Sequence, residues 1–432
     1  MGGWLHRLRQ IVFQYNYLSQ DQLDGFTRYE YHGVDTNPFN NNISMPICDR
    51  IVTYIPTWLA PNVLTLSTFI LSLAQYLILT YYDYDLVSSS AEVLHVDNIP
   101  HWVWLFSTFI LLAAISLDAL DGKHARRIGA CSPVGEILDH SVDWWRLTAP
   151  MITCFYSLFG RLDFGVPPHR LVWLLVATQT IVVFMFWHQY VTGVLIYSWG
   201  YDLMQYLAAC VYLFTYFQEE GAEWWQCEAY DIFSGTNAVV TERFAYLLIF
   251  GISLPMQFYH SFKYELKRKP GDRSFLNLDP VLAPLTLFLA AVILTLQKEY
   301  QSVIEADPRA TLWLIGVIGC DILWRLLLAS MTKSECPRWN RLLSMFVLCC
   351  VYWCLRPVSW HPWDAATVRL VAIIATLFHL HLVICTLKQM CDYFGIYLFF
   401  VQPNSFSSTL RPKRPPANVV QSHHSMRVVR NA

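Results

Sequence analysis

The chain has 432 residues, 55% of them hydrophobic and only 14% charged, with a mean hydropathy of +0.34. That charge content is well below the usual quarter and excludes an ordinary soluble domain, whereas 17 Trp and 24 Tyr suit the interfacial belts of a membrane protein. A formal net charge of −2 excludes a nucleic-acid partner, and the 12 cysteines, with no CxxC pair or Cys/His spacing, indicate neither a zinc site nor a disulfide framework.

Residues 1–55 are mixed and aromatic. The stretch WLHRLRQIVFQY reads either as an amphipathic segment lying on the bilayer or as an ordinary surface helix. The start lacks the apolar core of a cleaved signal peptide, and MGGWLH lacks the hydroxyl residue that myristoylation requires. Asn42-Ile43-Ser44 fits a glycosylation sequon, which matters only on a lumenal segment. Apolar runs then recur at about 60–82, 102–120, 145–160, 171–198, 203–217, 243–262, 281–297, 310–330, 341–356 and 366–386. A span needs roughly 20 apolar residues, so the runs at 145–160 and 203–217 are the weakest.

Loop charge orients these runs. Residues 83–101 carry Asp83, Asp85, Glu92 and Asp97 with no Lys or Arg, and residues 218–242 carry acidic residues alone. Opposed to them are Lys263, Lys267, Arg268, Lys269 and Arg273 in one loop and Lys333, Arg338 and Arg341 in another. With about ten transmembrane helices, every basic loop falls on one side, together with both termini, and the positive-inside rule makes that side cytosolic. The expected fold class is therefore an all-α integral membrane protein. The tail from about Asn404 is rich in Ser, Pro and Arg and reads as disordered and drawn to anionic lipid.

The stretch between the second and third runs concentrates the chemistry. Asp118, Asp121, Gly122 and Ala125 stand at i, i+3, i+4 and i+7 and share one helical face. Ser132 reads as an N-cap with Pro133 at the first position of a new helix, on which Gly135, Asp139 and Asp143 again line one face. The spacing predicts a helical hairpin that brings two pairs of carboxylates together beside small residues. Hard oxygen ligands so grouped suit Mg²⁺, Mn²⁺ or Ca²⁺, and two ions could clamp the oxygens of a phosphoryl displacement. The bland alternative is a solvated turn in which the aspartates pair with Lys123, Arg126, Arg127 and Arg146. Two carboxylate pairs on two helices, with small residues on the same faces, weigh against it.

Asp118, Asp121, Gly122, Ala125, Arg126, Gly135, Asp139 and Asp143 match the signature D-x2-D-G-x2-A-R-x8-G-x3-D-x3-D without departure, and on these residues the chain resembles the CDP-alcohol phosphotransferase family. VDTNP at 34–38, PTWLAPN at 56–62 and WGYD at 199–202 are similar to its eukaryotic choline/ethanolamine group, on the ethanolamine side; the resemblance runs over about 29–404. It implies the family's fold. It also implies transfer of phosphoethanolamine from CDP-ethanolamine to the 3-hydroxyl of diacylglycerol, or of an alkyl-acylglycerol, with CMP leaving. The resemblance makes Asp118, Asp121, Asp139 and Asp143 the ligands of two divalent ions, Mg²⁺ or Mn²⁺. Arg126 would contact the diphosphate, Gly122, Ala125 and Gly135 would leave room for the donor, and Asn62 is a candidate for holding cytidine or phosphate. His140 has the intrinsic pKa of a general base and follows Asp139 as in the choline/ethanolamine enzymes, with Asp143 as the alternative base. Trp187, His188 and Tyr190 form a candidate head-group pocket, although an acidic residue that relatives carry near His188 is replaced here.

The expected organisation is an interfacial or cytosolic segment 1–55, a catalytic six-helix unit 56–262, four further spans 263–390 that pack or dimerise, and a cytosolic tail 391–432. The resemblance also implies a homodimer in the endoplasmic reticulum or Golgi, with the site facing the cytosol and membrane lipids as partners. The readings that compete are a choline or dual-specificity transferase, a cation-coupled transporter, and a catalytically silent scaffold. Broken helices at mid-membrane in two matching halves would mark the transporter, and loss of a signature aspartate the scaffold; neither is found in the sequence.

Overall fold

A computed structural model describes residues 15–90, 98–147, 149–162, 165–225, 228–230, 237–239, 251–267 and 278–401. The amphipathic stretch at 4–15, apart from Tyr15, and the tail beyond 401 lie outside the described residues. Within them the chain is mostly helical, as its composition requires, with two short strand pairs.

Helix α1 (Gln20–Phe26) opens on a capping box. Ser19 caps Gln22 and the Gln22 side chain bonds back to Ser19. Strand β1 (Gly33–Asp35) and a short helix α2 (Met45–Ile51) lead to the first long helix, α3 (Pro61–Tyr82). Next come α4 (His101–Arg127), α5 (Pro133–Leu147), α6 (Ala149–Tyr156) and α7 (Pro168–Thr192). Strand β2 (Leu195–Tyr197) returns to β1 and pairs with it in parallel, Gly33 opposite Leu195 and Asp35 opposite Tyr197. Helices α8 (Trp199–Phe217) and α9 (Leu254–Lys267) follow, with α10 (Leu282–Ile293), α11 (Lys298–Ala306), α12 (Pro308–Thr332), α13 (Arg341–Leu355) and α14 (Asp364–Phe394) completing the chain.

Among the described residues, five helical segments are long and apolar enough to cross a membrane: α3, α4, α7, α12 and Val358–Phe394. A sixth possibility is the α10–α11 pair, which bends by 101° at its break. The run at 281–297 therefore does not continue as one straight helix: the turn at Thr295 precedes a new helix that begins with the polar Lys298-Glu299. Helices α8 and α13 are apolar but shorter. The run at 145–160 is split between the ends of α5 and α6.

Burial sorts the long helices into an inner and an outer class. The apolar window of α12 is 89% buried, against 33% for α3, so α12 is the axis of the bundle and α3 presents most of its surface outward. Around α12 pack α5, α6, α7, α10 and α14. One apolar cluster joins α7, α10, α12 and α13, while a second, built from Ile137, Leu138, Phe186, Leu323, Leu327 and Leu382, backs the α4–α5 hairpin. The hairpin is thus set on the rigid side of the molecule.

Candidate active site

The turn that forms the hairpin follows from local chemistry. Helix α4 ends in a Schellman arrangement: Ala130 N–H donates to the Ala125 carbonyl (2.9 Å), Gly129 N–H to that of Arg126 (3.3 Å), and Gly129 sits at φ 66°. Ser132 Oγ then accepts from Gly135 N (3.1 Å) and Pro133 begins α5. Nearby basic residues fix the surroundings instead of the aspartates. Arg127 donates to the carbonyls of Val52 and Ile55 (both 2.7 Å) and of Thr53 (3.1 Å), Lys123 pairs with Asp49, and His124 Nε2 lies 2.9 Å from the Leu59 carbonyl. The reading in which the basic residues of this turn neutralise the aspartates fails for these side chains.

Asp118, Asp121 and Asp139 come together, with one oxygen from each lying within 4.8 Å of the others. Thr65, from α3, donates its hydroxyl to Asp121 Oδ2. Asp118 Oδ1 and Asp139 Oδ1 are buried without a hydrogen-bond partner. Three carboxylates converging with buried, unsatisfied oxygens are costly unless a cation joins them. The donor set is all oxygen, which fits a hard divalent ion. Asp143 adjoins this trio through Asp118 without joining it: its carboxyl contacts that of Asp118, Arg146 Nη1 is 2.8 Å from its Oδ1 and 3.6 Å from Asp118 Oδ1, and Arg146 Nη2 reaches Gln205 Oε1 (3.2 Å).

Asp121 and Asp139 of the trio border a cavity of about 490 Å³. Asn62, Gly122, Ala125, Arg126, Gly135 and His140 line it as well. The Arg126 guanidinium lies over Gly122, where an added Cβ would be 3.5 Å from Nη1. At Gly135 an added Cβ would meet Asn62 Oδ1 at 3.2 Å, so the two helices approach closely there, and Asn62 Nδ2 donates to the Leu398 carbonyl (2.8 Å). His140 is buried, its Nε2 has no hydrogen-bond partner, and Glu136 Oε1 faces that nitrogen at 3.8 Å.

Trp187, His188 and Tyr190 do not line this cavity. Trp187 packs on Phe184, His188 faces the Val194 carbonyl (3.1 Å) and Glu265 (3.8 Å), and Tyr190 donates to the Ser334 carbonyl (3.3 Å). Helix α7 is an inner helix, so most of its aromatics are taken up by packing. From that stretch only Gln189 points toward the site, donating to the Tyr29 hydroxyl (3.2 Å).

Sequence reasoning missed Tyr29, Tyr31, Thr65 and Tyr197, all of which line the cavity. The β1–β2 pairing carries the N-terminal segment across to β2, where Tyr197 is, and Tyr29 donates to Glu136. Burial, followed by the charge of Glu136, raises the pKa of the Tyr29 hydroxyl, so it remains a donor.

The fold and this site define a chain of membrane-length apolar helices with a hairpin of carboxylates beside a cavity of about 490 Å³. The profile described as CDP-alcohol phosphatidyltransferase matches residues 58–235. The chain is 33% identical to mouse ethanolaminephosphotransferase 1 over 90% of this chain and 96% of that protein, and 31% identical to the human one over the same shares. It is also 28% identical to mouse cholinephosphotransferase 1, over 74% of this chain and 76% of that protein. The chain belongs to the CDP-alcohol phosphatidyltransferase family.

Proposed function

We propose that the protein is a CDP-ethanolamine:diacylglycerol ethanolaminephosphotransferase. The observation that carries this is the convergence of Asp118, Asp121 and Asp139, the last two lining the cavity, in a chain similar over most of its length to ethanolaminephosphotransferases. The 3-hydroxyl of diacylglycerol attacks the β-phosphorus of CDP-ethanolamine, the new P–O bond forms as the bond to the CMP oxygen breaks, and phosphatidylethanolamine and CMP leave. His140 is the base that takes the hydroxyl proton; it borders the cavity and its Nε2 is unengaged by any hydrogen bond. Arg126 lies at the cavity edge, where a planar donor pairs with diphosphate oxygens. Asn62, Gly122, Ala125 and Gly135 shape the space for the nucleotide.

Asp118, Asp121 and Asp139 would hold Mg²⁺ or Mn²⁺, which when bound supplies charge neutralisation at the diphosphate. A second ion held by Asp143 requires Arg146 to release that carboxylate.

The site faces the cytosol of the endoplasmic reticulum in this reading, and both termini share its side. Supporting this, Leu18 bonds with Gln389 through both N–H and carbonyl (2.9 and 2.8 Å), and Asn62 with Leu398, so the beginning and end of the described chain meet beside the hairpin. Ten spans are reached if α6, α8, α9, α13 and the α10–α11 pair each join the five long segments. The last four spans provide the surface for a homodimer.

Purified protein in lipid micelles with diacylglycerol, given radiolabelled CDP-ethanolamine or CDP-choline with Mg²⁺ or Mn²⁺, tests the proposal. Metal-dependent label in phosphatidylethanolamine, lost in Asp139→Asn, is the expected result. Comparable label from CDP-choline would make the enzyme dual-specific, and no lipid product from either donor by folded protein would overturn the transferase reading.

A further inference from the structure

The resemblance implies that four aspartates share two ions, yet the structure treats the fourth one differently. Asp118, Asp121 and Asp139 bring one oxygen each within 4.8 Å of the others, and Asp143 is not among them. Asp143 lies instead against Arg146, whose Nη1 is 2.8 Å from Asp143 Oδ1 and 3.6 Å from Asp118 Oδ1. The guanidinium therefore bridges the two carboxylates that a second ion would have to join, one from α4 and one from α5. Its other terminal nitrogen, Nη2, is held by Gln205 Oε1 of α8 at 3.2 Å, and the side chain is only 3% exposed. An arginine keeps its charge at any pH that a protein meets.

We propose that Arg146 stands in the place of the second divalent ion, so that the site takes one ion per chain, at Asp118, Asp121 and Asp139. This rests on the transferase reading above and fixes the number of ions that reading needs. Distance and charge both favour it. The ions of two-metal sites lie about 3.5–4 Å apart and share ligands. A second ion bound about 2.1 Å from Asp143 Oδ1 would lie within about 5 Å of Arg146 Nη1, beside a cation that cannot shed its charge. The alternative is an arginine that swings aside when the ion arrives. The cavity beside it, lined by Ser72, Gln75, Leu111, Pro150, Met151 and Cys154, gives no room for that. It measures about 10 Å³, space for one water at most, and none of those residues carries a charge. A guanidinium moved there would be buried without a counter-ion, which is strongly unfavourable. Arg146 does not border the donor cavity, so it acts on the carboxylates and not on the donor, as a positioning residue.

The test counts ions with no substrate present, so that nothing turns over. The full chain in lipid micelles is titrated with Mn²⁺ to saturation, and bound metal is read from the loss of the sharp electron paramagnetic resonance of free Mn²⁺. The wild type is expected to bind one ion per chain, and Arg146→Lys, which keeps the charge, one as well. Arg146→Gln is expected to bind two, and the double variant with Asp143→Asn one again. An arginine that served only the fold would lower the stability of R146Q without changing its count. Two ions in the wild type, or a single ion in folded R146Q, would overturn the proposal. If R146Q yields no folded protein, the wild-type count decides alone, one ion supporting the proposal and two overturning it. Wild-type protein that binds one ion, with a second appearing in R146Q, yet transfers nothing would instead overturn the transferase reading and leave this inference standing. Transfer by a wild type that holds two ions would do the reverse.

Discussion

Two regions of this molecule hold aspartates with buried oxygens, and their surroundings differ. In the C-terminal half each one has its own partner. Asp321 is held by Arg325 Nε (2.9 Å) and His379 Nδ1 (3.4 Å). Asp364 is paired with Arg356 and accepts from Ser302 (2.9 Å). Asp307 caps α12 through Ala310 N (2.9 Å), accepts from Tyr84 (2.7 Å) and pairs with Arg369. On the hairpin, Asp118, Asp121 and Asp139 face one another, Arg146 reaches only Asp118 of the three and at 3.6 Å, and two of their buried oxygens lack any hydrogen bond. A carboxylate with an arginine is already neutralised and contributes to the fold. Carboxylates that face each other raise the free energy of the folded state until a cation arrives, which is the signature of a site and not of a scaffold.

That contrast predicts opposite responses to substitution. Asp139→Asn is expected to lower transfer by roughly 10³-fold or more, since metal-assisted stabilisation of the phosphoryl group contributes several kcal/mol. The apparent unfolding temperature of the metal-free variant should match or exceed that of the wild type, because one of the mutually repelling charges has been removed. A drop in thermal stability with little loss of transfer would show that Asp139 is structural.

Arg356→Ala, in the other region, is expected to act the other way. It leaves Asp364 buried without its cation, a change that costs about 3–5 kcal/mol. Thermal scans in detergent should show a fall of several degrees, while the protein that remains folded keeps its specific activity and its response to Mg²⁺. The same scans separate the regions by titration: saturating Mg²⁺ or Mn²⁺ should raise the wild-type transition, by about 2.7 kcal/mol at a hundred times Kd. The increase should persist in Arg356→Ala and vanish in Asp118→Asn and Asp121→Asn.

The hairpin was legible in the sequence because everything that builds it is local. The i, i+3 and i+4 spacings, the Ser132 cap, Pro133 and Gly129 all act within a few residues, and the structure places them as their chemistry demands. What surrounds the hairpin was not legible. Tyr29 and Tyr31 reach the cavity only because β1 pairs with β2, and three-residue strands carry no periodicity that a sequence reading can use. Thr65 sits in an apolar helix where a threonine most often satisfies itself by bonding to the carbonyl four residues before. Here its hydroxyl turns to Asp121 instead, with the Pro61 carbonyl at 3.5 Å. The stretch at 187–190 misled for the opposite reason. It is rich in aromatic and polar side chains, but on an inner helix those side chains serve packing, and only Gln189 reaches the tyrosines of the cavity.

Between the two regions in size of effect lies Thr65→Val. It removes the hydroxyl that orients Asp121 and nothing else of similar volume. Outer partners of metal ligands typically account for roughly 10- to 100-fold in metal affinity or activity. The variant is expected to show that loss in the Mg²⁺ concentration needed for half-maximal transfer, with less change at saturating metal. An unchanged metal requirement would mean that Asp121 is held by the helix alone.

The smallest effect should come from Tyr190→Phe, and it sharpens the comparison from the other side. The Tyr190 hydroxyl donates to the Ser334 carbonyl just beyond the end of α12, away from the cavity. Losing that bond costs about 1 kcal/mol and leaves a carbonyl that can still find water at the helix end. A shift of a degree or two in the thermal transition is expected, with the ratio of CDP-ethanolamine to CDP-choline turnover unchanged. Head-group preference that moved with Tyr190 would place recognition on α7 after all.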